Sequence, residues 1–355
     1  MSLIWLMLLF GWNPKGLIEN LKFEEVPEDH EHYLQRPIDA AFDAQGRLYL
    51  LDIQTRAVFR WNADGTFADS FGKAGNGPGE FGFQTRQGPQ AHLSISGDDL
   101  YVCDGGKWAV QVFDLDGNYK TMIRFQQPNG QLTGFWSTAN GTWLTQSHHF
   151  LNKDPGFEIS SMDAKGNFEQ LLYYSEKDIG RPAIAPTKNA ITIEAYYPEL
   201  TANYDRKTNK LVYAATGHSL LKVRDLASGK THSIKLALPQ VEVETQHQAE
   251  FEKQSWLKYN PNFKVVYPEK MPYFDRILQL RNGSFMVYHQ SPVEQHIHGY
   301  VVDASGLRKS RFAFTAGQSG GLFGDSGRIV AVIVDDNGDF SIAEVAPKDV
   351  PPTSH

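Results

Sequence analysis

A unit that recurs at a spacing of 52 residues predicts an all-β chain folded as a six-bladed β-propeller. In the first copy the turn Asp43–Gly46 leads into Leu48–Asp52, then Val58–Trp61, then Asp64-Gly65. In the second, Ser96-Gly97 leads into Leu100–Asp104, then Val110–Phe113, then Asp116-Gly117. Asp52 falls on Asp104, Val58 on Val110 and Gly65 on Gly117, so three landmarks share one lag. A second observation is the texture of the chain: short runs of Val, Ile, Leu, Tyr and Phe divided by Asp-Gly and Asn-Gly turns. A third concerns the two ends. The last blade is one strand short, and Leu17 to Val26 reads as a strand with no blade of its own. Pairing the two closes the ring and removes the exposed edges of an open stack.

The blades follow in order. Blade one takes Ile38 to Phe42, Leu48 to Leu51, Ala57 to Trp61 and Phe67 to Phe71 as its strands A to D. Blade two repeats that order over Gln90 to Phe125. Blade three has strand B at Thr142 to Gln146, strand C at Phe157 to Met162 and strand D at Phe168 to Tyr173. Blade four is irregular: Ala190 to Ala195 and Lys210 to Ala215 read as strands, and Leu220 to Leu236 as a hairpin through Ala227-Ser-Gly229. Dividing blade four in two would give seven blades. Blade five takes Tyr273 to Leu280, Ser284 to His289, His298 to Asp303 and Lys309 to Phe314. Blade six offers only Gly321 to Phe323, Ile329 to Asp335 and Phe340 to Val345.

These blades make one domain over residues 17–350, with a partly helical insertion at 239–268. Helical composition there centres on Ala249 to Leu257, and Pro261, Pro268 and Pro272 fix the chain after it. Long connections of this kind in compact domains usually serve function. Residues 351–355 form a short tail, and residues 1–16 an apolar leading segment. Leu3 to Phe10 is continuously apolar but too short to span a bilayer as a helix. It reads as the end of an export signal, as a segment packed on the body, or as an anchor touching a membrane. The first reading places the protein in a periplasm or outside the cell; otherwise it is cytoplasmic.

Composition narrows the chemistry. A net charge of -7, with no long Lys/Arg run, argues against nucleic acid as a partner. Cys103 is the sole cysteine, which excludes an intramolecular disulfide and a thiolate metal cluster. It lies in the apolar run Leu100–Cys103 and reads as a buried small hydrophobe. No Gly-x-Ser-x-Gly stands in a nucleophile-elbow context.

The segment Phe71-Gly-Lys-Ala-Gly75-Asn-Gly77-Pro-Gly79-Glu80-Phe81, with Leu48–Asp52 and Val110–Gly117, resembles the NHL repeat of six-bladed propellers. The match is specific over the first 125 residues and decays afterwards. The layout is similar to uncharacterised bacterial six-bladed propeller proteins. Read from its residues alone, the Gly72–Gly79 run is a blade connector, since no P-loop Lys-Ser/Thr or helix follows it. Asp52 and Asp104 end their strands, where a carboxylate can hold a turn.

In a four-stranded blade the D–A and B–C connections share one face, and nearly all the irregular sequence falls on them. A site is therefore expected on that face, around the mouth of the central channel. The opposite face receives mostly tight Asp-Gly and Asn-Gly turns, which suit structure. His148 and His149 end strand B of blade three, His289 ends strand B of blade five, and His296 and His298 begin strand C of blade five. His148, His289 and His296 from facing blades could hold a divalent ion such as zinc, and a carboxylate cluster would instead suit calcium. The resemblance implies that such sites occur in related propellers: an amidating lyase with metal-binding histidines, and lactonases using acidic residues and calcium. Arg36 and Arg181 each precede a proline at the start of an inner strand and could clamp a carboxylate. Glu194, Tyr196, Trp108 and Trp136 add acidic and aromatic contact surface. These features predict a propeller that binds a protein, peptide or small-molecule ligand on this face. The alternative is a metal-assisted lyase or hydrolase.

Overall fold

The computed structural model describes residues 15–85, 88–126, 130–149, 155–180, 191–254, 257, 262–290, 296–317 and 319–348. Arg181, the apolar segment at residues 3–10 and the C-terminal tail lie outside them. Six four-stranded antiparallel sheets stand in a ring among the described residues. Blade one is Pro37–Phe42, Leu48–Asp52, Ala57–Trp61 and Phe67–Phe71, from the inner to the outer strand. Blade two is Ala91–Ser96, Asp99–Asp104, Ala109–Asp114 and Tyr119–Arg124. Blade three is Gln131–Ser137, Trp143–His149, Gly156–Met162 and Phe168–Ser175. Blade five is Arg276–Gln279, Phe285–Gln290, His296–Val302 and Arg308–Thr315.

The ring closes as expected. Leu17–Lys22 pairs antiparallel with Phe340–Pro347 and completes the blade of Gly321–Asp325 and Arg328–Val334. Leu17 opposes Pro347 and is itself buried among Val345, Ile329 and Phe312. Both ends of the described chain thus lie in one sheet, and neither leaves an inner edge to pair elsewhere.

Blade four departs from the expected strands. Its inner strand is Leu200–Asp205, followed by Lys210–Ala215, Leu220–Asp225 and Thr231–Lys235. Leu200 and Tyr204 are buried against blade three, which is why this stretch, poor in β-branched residues, takes the inner position. Ile191–Glu194 leaves the ring and runs parallel to Phe263–Val266 from the insertion. The helix of the insertion spans Thr245–Glu252, starting earlier than its composition suggests. His247 Nδ1 accepts the Glu244 N–H at 3.0 Å, so this histidine satisfies a donor at the helix start. The two connections flanking blade four are therefore joined as a small cap on the mouth face.

Asp52 and Asp104 hold the repeat together. Asp52 is fully buried; its Oδ2 accepts the N–H groups of Gln35 and Arg36 at 2.7 Å, and its Oδ1 those of Gln54 and Thr55. Asp104 accepts from Gly82 and Phe83 in the same way. Each carboxylate ties the B–C turn to the chain that enters its own blade. Arg56 and Trp108, one lag apart, both take left-handed φ values, of 59° and 52°, in the turns so fixed. In the glycine-rich connector, Glu80 Oε2 accepts the Gly77 N–H at 2.7 Å, and a Cβ on Gly75 would lie 2.1 Å from that oxygen. The connector folds around its own glutamate, which fits a structural role.

Replacing Asp52 by Ala strands buried N–H donors and is expected to lower stability by about 3 kcal/mol. Urea unfolding measures this, and a loss below about 1 kcal/mol would contradict the assigned role.

Candidate functional site

The cap and blade five line a half-open cavity of about 390 Å³. Four histidines line it: His247 from the helix, His289 from the end of strand B, and His296 and His298 from the start of strand C. Tyr196, Asp275, Glu250, Lys253, Val241 and Met271 complete most of the wall. A volume of this size suits a small ligand or one or two residues of a peptide.

Register explains the convergence. His289 pairs with His298 across the two strands, and their rings lie 5.3 Å apart at an angle of 30°. His296 and His298 alternate with buried Ile297, so both project from the same side of the strand. Asp275, just before the inner strand, donates its own N–H to the Tyr288 carbonyl, and its Oδ2 accepts the Gln290 N–H at 3.1 Å. Its Oδ1 is 3.3 Å from His289 Nδ1. His296 Nδ1 lies 2.7 Å from Thr315 Oγ1. On the cap side, Tyr196 takes a left-handed φ of 57° and donates its hydroxyl to the His247 carbonyl at 2.8 Å. Its ring meets Phe251 edge-on at 5.5 Å, and Phe251 in turn meets Tyr267. This aromatic group fastens the helix to the parallel strand pair.

The electrostatics follow from this packing. Enclosure pushes the Asp275 pKa up, but the hydrogen bond and charge of His289, the Gln290 N–H and the charge of Arg276 outweigh it. The net result is a carboxylate held below its ordinary range, ionised at neutral pH. Enclosure, then the neighbouring His289 and His296, lower the His298 pKa. A neutral imidazole here can accept as well as donate a hydrogen bond. The cavity therefore offers an anionic floor at Asp275, a neutral imidazole at His298 and an aromatic wall.

The other sequence candidates lie elsewhere. Arg36 is exposed beside the buried Asp52 clamp, to which its backbone N–H donates. Trp108 meets Phe125 edge-on at 6.3 Å and packs on the core around Cys103. Trp136 folds over Gly134, where a Cβ would lie 2.3 Å from its ring, and packs against Leu144 and its neighbours. Both indoles thus have core partners. His148 stacks on Phe157 at 4.1 Å, with Nε2 3.9 Å from Glu176. His149 is buried, its Nε2 2.9 Å from Ser147 Oγ and 3.6 Å from Glu158. Glu194 sits in the strand paired with Phe263–Val266. The structure thus brings together Tyr196, His289 and His296 and leaves His148 on blade three. Among the described residues no three His, Cys, Asp or Glu side chains are arranged around one point to hold a metal ion.

Sequence reasoning did not pick out Asp275, His247 or Glu250 as site residues. An aspartate before an inner strand and two polar residues three apart on a short helix carry no motif. Their common destination depends on how the cap docks.

In solution His298 is expected to titrate below the ordinary histidine value of about 6.5, and His289→Gln or His296→Gln to raise it. The fold then favours the neutral form. That contribution is complete above about pH 6.5 and fades as pH falls through the folded value. An imidazole NMR titration reads both, and a midpoint at or above the ordinary value in the intact protein would contradict the assigned environment.

Comparison with known proteins agrees with the fold. The first similar structure is a member of the DUF4221 family from Bacteroides vulgatus, 11% identical, with a TM-score of 0.57 over 93% of this chain and 97% of that one. A second is an exported protein from Bacteroides fragilis, described as putative, 9% identical, with a TM-score of 0.57 over 94% and 96%. At such identities the likeness concerns the fold alone. A search of curated proteins gives no match. The family DUF5128, described as a 6-bladed beta-propeller, matches residues 29–282. The chain belongs to this family of six-bladed propellers.

Proposed function

We propose that the protein is a ligand-binding propeller and that its site is the cavity between the helical cap and blade five. The observation that carries this reading is the meeting of Asp275, His289 and His298 from the ring with Tyr196 and His247 from the cap in one small cavity. Among the described residues, the other sequence candidates Arg36, Trp108, Trp136, His148 and His149 are held by packing or turn bonds on other blades. An ionised carboxylate beside an aromatic ring and the neutral His298 imidazole suits a small ligand, or a peptide side chain, that carries an amine or guanidinium. Protein, peptide and small-molecule ligands remain within this class; nucleic acid does not fit the acidic balance.

A thermal-shift screen of amines, amino acids and short basic peptides tests the reading. Ligands that raise Tm are expected to lose most of that effect in Asp275→Asn and His298→Ala. Tm shifts that survive both substitutions would place binding elsewhere and overturn the reading.

One observation favours a second reading, a metal-assisted lyase or hydrolase. His289 Nδ1 faces Asp275, the pairing that orients an imidazole for metal ligation or for proton transfer through its other nitrogen. On this reading zinc or another divalent ion would draw on His289, His296 and His298, with the side chains adjusting around it. Elemental analysis of the purified protein is then expected to find a stoichiometric metal that His289→Ala and His298→Ala remove. Metal content unaffected by these substitutions would sink this reading.

A further inference from the structure

Blades one, two and five share one register. A bulge between strands C and D marks equivalent positions: Trp61 opposite Phe67, Phe113 opposite Tyr119, and Val302 opposite Arg308. Counted from that bulge, the buried clamps Asp52 and Asp104 correspond to His289 in blade five. Phe59 opposite Ser70, and Gln111 opposite Met122, correspond to Tyr300 opposite Arg311. These residues form one row across a face of each blade.

On blades one and two, the chain that enters the blade lies along this row. On blade one, Trp61 Nε1 donates to the Glu24 carbonyl at 2.8 Å, His30 and His32 each reach Ser70 Oγ at 2.7 Å, and Gln35 and Arg36 donate to Asp52. On blade two, Gln111 Nε2 donates to the Glu80 carbonyl at 2.7 Å, its Oε1 accepts the Gly79 N–H at 3.2 Å, and Gly82 and Phe83 donate to Asp104. On blade five the entering chain turns away. The Met271 N–H donates to the Val241 carbonyl at 2.8 Å and the Val243 N–H to the Glu269 carbonyl at 2.9 Å, which pinches off the chain between them as part of the cap. Among the described residues, the side chains of Tyr300, Arg308 and Arg311 make no hydrogen bond or ion pair, and both guanidinium groups face the Tyr300 ring, at 5.4 and 5.5 Å.

The row on blade five begins in the cavity, at Asp275 and His289, and runs past His298 to Tyr300 and the two arginines. His298, Arg308 and Arg311 are exposed and Tyr300 is half-buried, so the row stays open beyond the cavity. Its ends carry opposite charge. Strands lie about 4.8 Å apart and residues about 3.4 Å apart along them, so Asp275 and Arg311 stand roughly 16 Å apart, the span of about five extended residues. We propose that this row is the groove of an extended peptide, which takes on blade five the place that blades one and two fill with their own chain. A basic side chain of the peptide enters the cavity toward Asp275, and an acidic side chain three to five positions away meets Arg308 and Arg311, whose forked donors suit a carboxylate. One or two residues fill the cavity and the rest lie over Tyr300. This inference rests on the ligand-binding reading of the cavity and narrows its ligand to a peptide carrying both charges.

Selection of a random octapeptide library against the full chain tests the proposal. Enriched peptides are expected to pair a Lys or Arg with an Asp or Glu three to five positions away. Calorimetry with a synthetic copy of an enriched peptide is expected to show an affinity loss of about five- to tenfold in the double variant Arg308→Gln, Arg311→Gln. Changing the acidic residue of the peptide to its amide should cost about as much in the intact protein and nothing further in the double variant, because the two changes remove one interaction. Both arginines are exposed, so the variant keeps the fold, which circular dichroism checks. Enriched peptides with a basic residue alone, weakened by Asp275→Asn but indifferent to the double variant, would overturn the inference and leave the ligand-binding reading standing. Peptides indifferent to both variants would overturn the two together. A library that yields no enriched peptide would overturn the inference as well.

Discussion

The ring depends on a bond made at every blade junction by a polar side chain reaching from one blade to the backbone or side chain of the next. Asp325 accepts the Phe42 N–H from blade six to blade one, and Asp39 accepts the Leu93 N–H from blade one to blade two. Gln90 and Ser94 accept the N–H groups of Leu132 and Ser137 in blade three. Gln146 donates to the Leu200 carbonyl in blade four, Gln279 donates to Asp205 between blades five and four, and Tyr288 donates to the Leu322 carbonyl in blade six. Inner strands have one edge without a sheet partner, so these contacts give their polar groups somewhere to go. They also fix the angle between blades, which apolar packing alone leaves adjustable. Asp325 shows the cost: burial raises its pKa despite Arg206 nearby and the bonds from Phe42 and Ser326.

A closed ring of this kind frees its mouth-face loops from any duty to the core. Those of blades one and two after strand B stay short and are held by Asp52 and Asp104. The two connections around blade four do otherwise: they pair with each other, carry a helix, and shelter the cavity. Scaffold and site are thus built by different rules. The scaffold repeats the same carboxylate and turn at one lag, while the site gathers unlike residues from a cap and a blade.

That difference decides how much was legible in the sequence. Repetition is visible in one dimension, so blades one and two, the closing strand and the general place of the insertion could all be read. Blade four was misread because Ile191–Glu194 has a strand's pattern and does form a strand, but in the cap. Leu200–Asp205 is an inner strand whose burial comes from blade three. Histidine content drew attention to His289 and His296, which line the cavity, and gave equal weight to His148 and His149, which a strand register and Phe157 hold on another blade. Asp275 and His247 were invisible because only docking of the cap brings them together.

The central claim is that a rigid closed ring presents a separately folded cap over one cavity. Hydrogen exchange followed by mass spectrometry tests it most directly. The account predicts that Leu17–Lys22 exchanges as slowly as its partner Phe340–Pro347, in one cooperative event with the other blades. It predicts that Ile191–Glu194, Thr245–Glu252 and Phe263–Val266 open together and more readily than the ring. A closing strand that exchanges far ahead of Phe340–Pro347, or cap segments that open only with the whole ring, would contradict it.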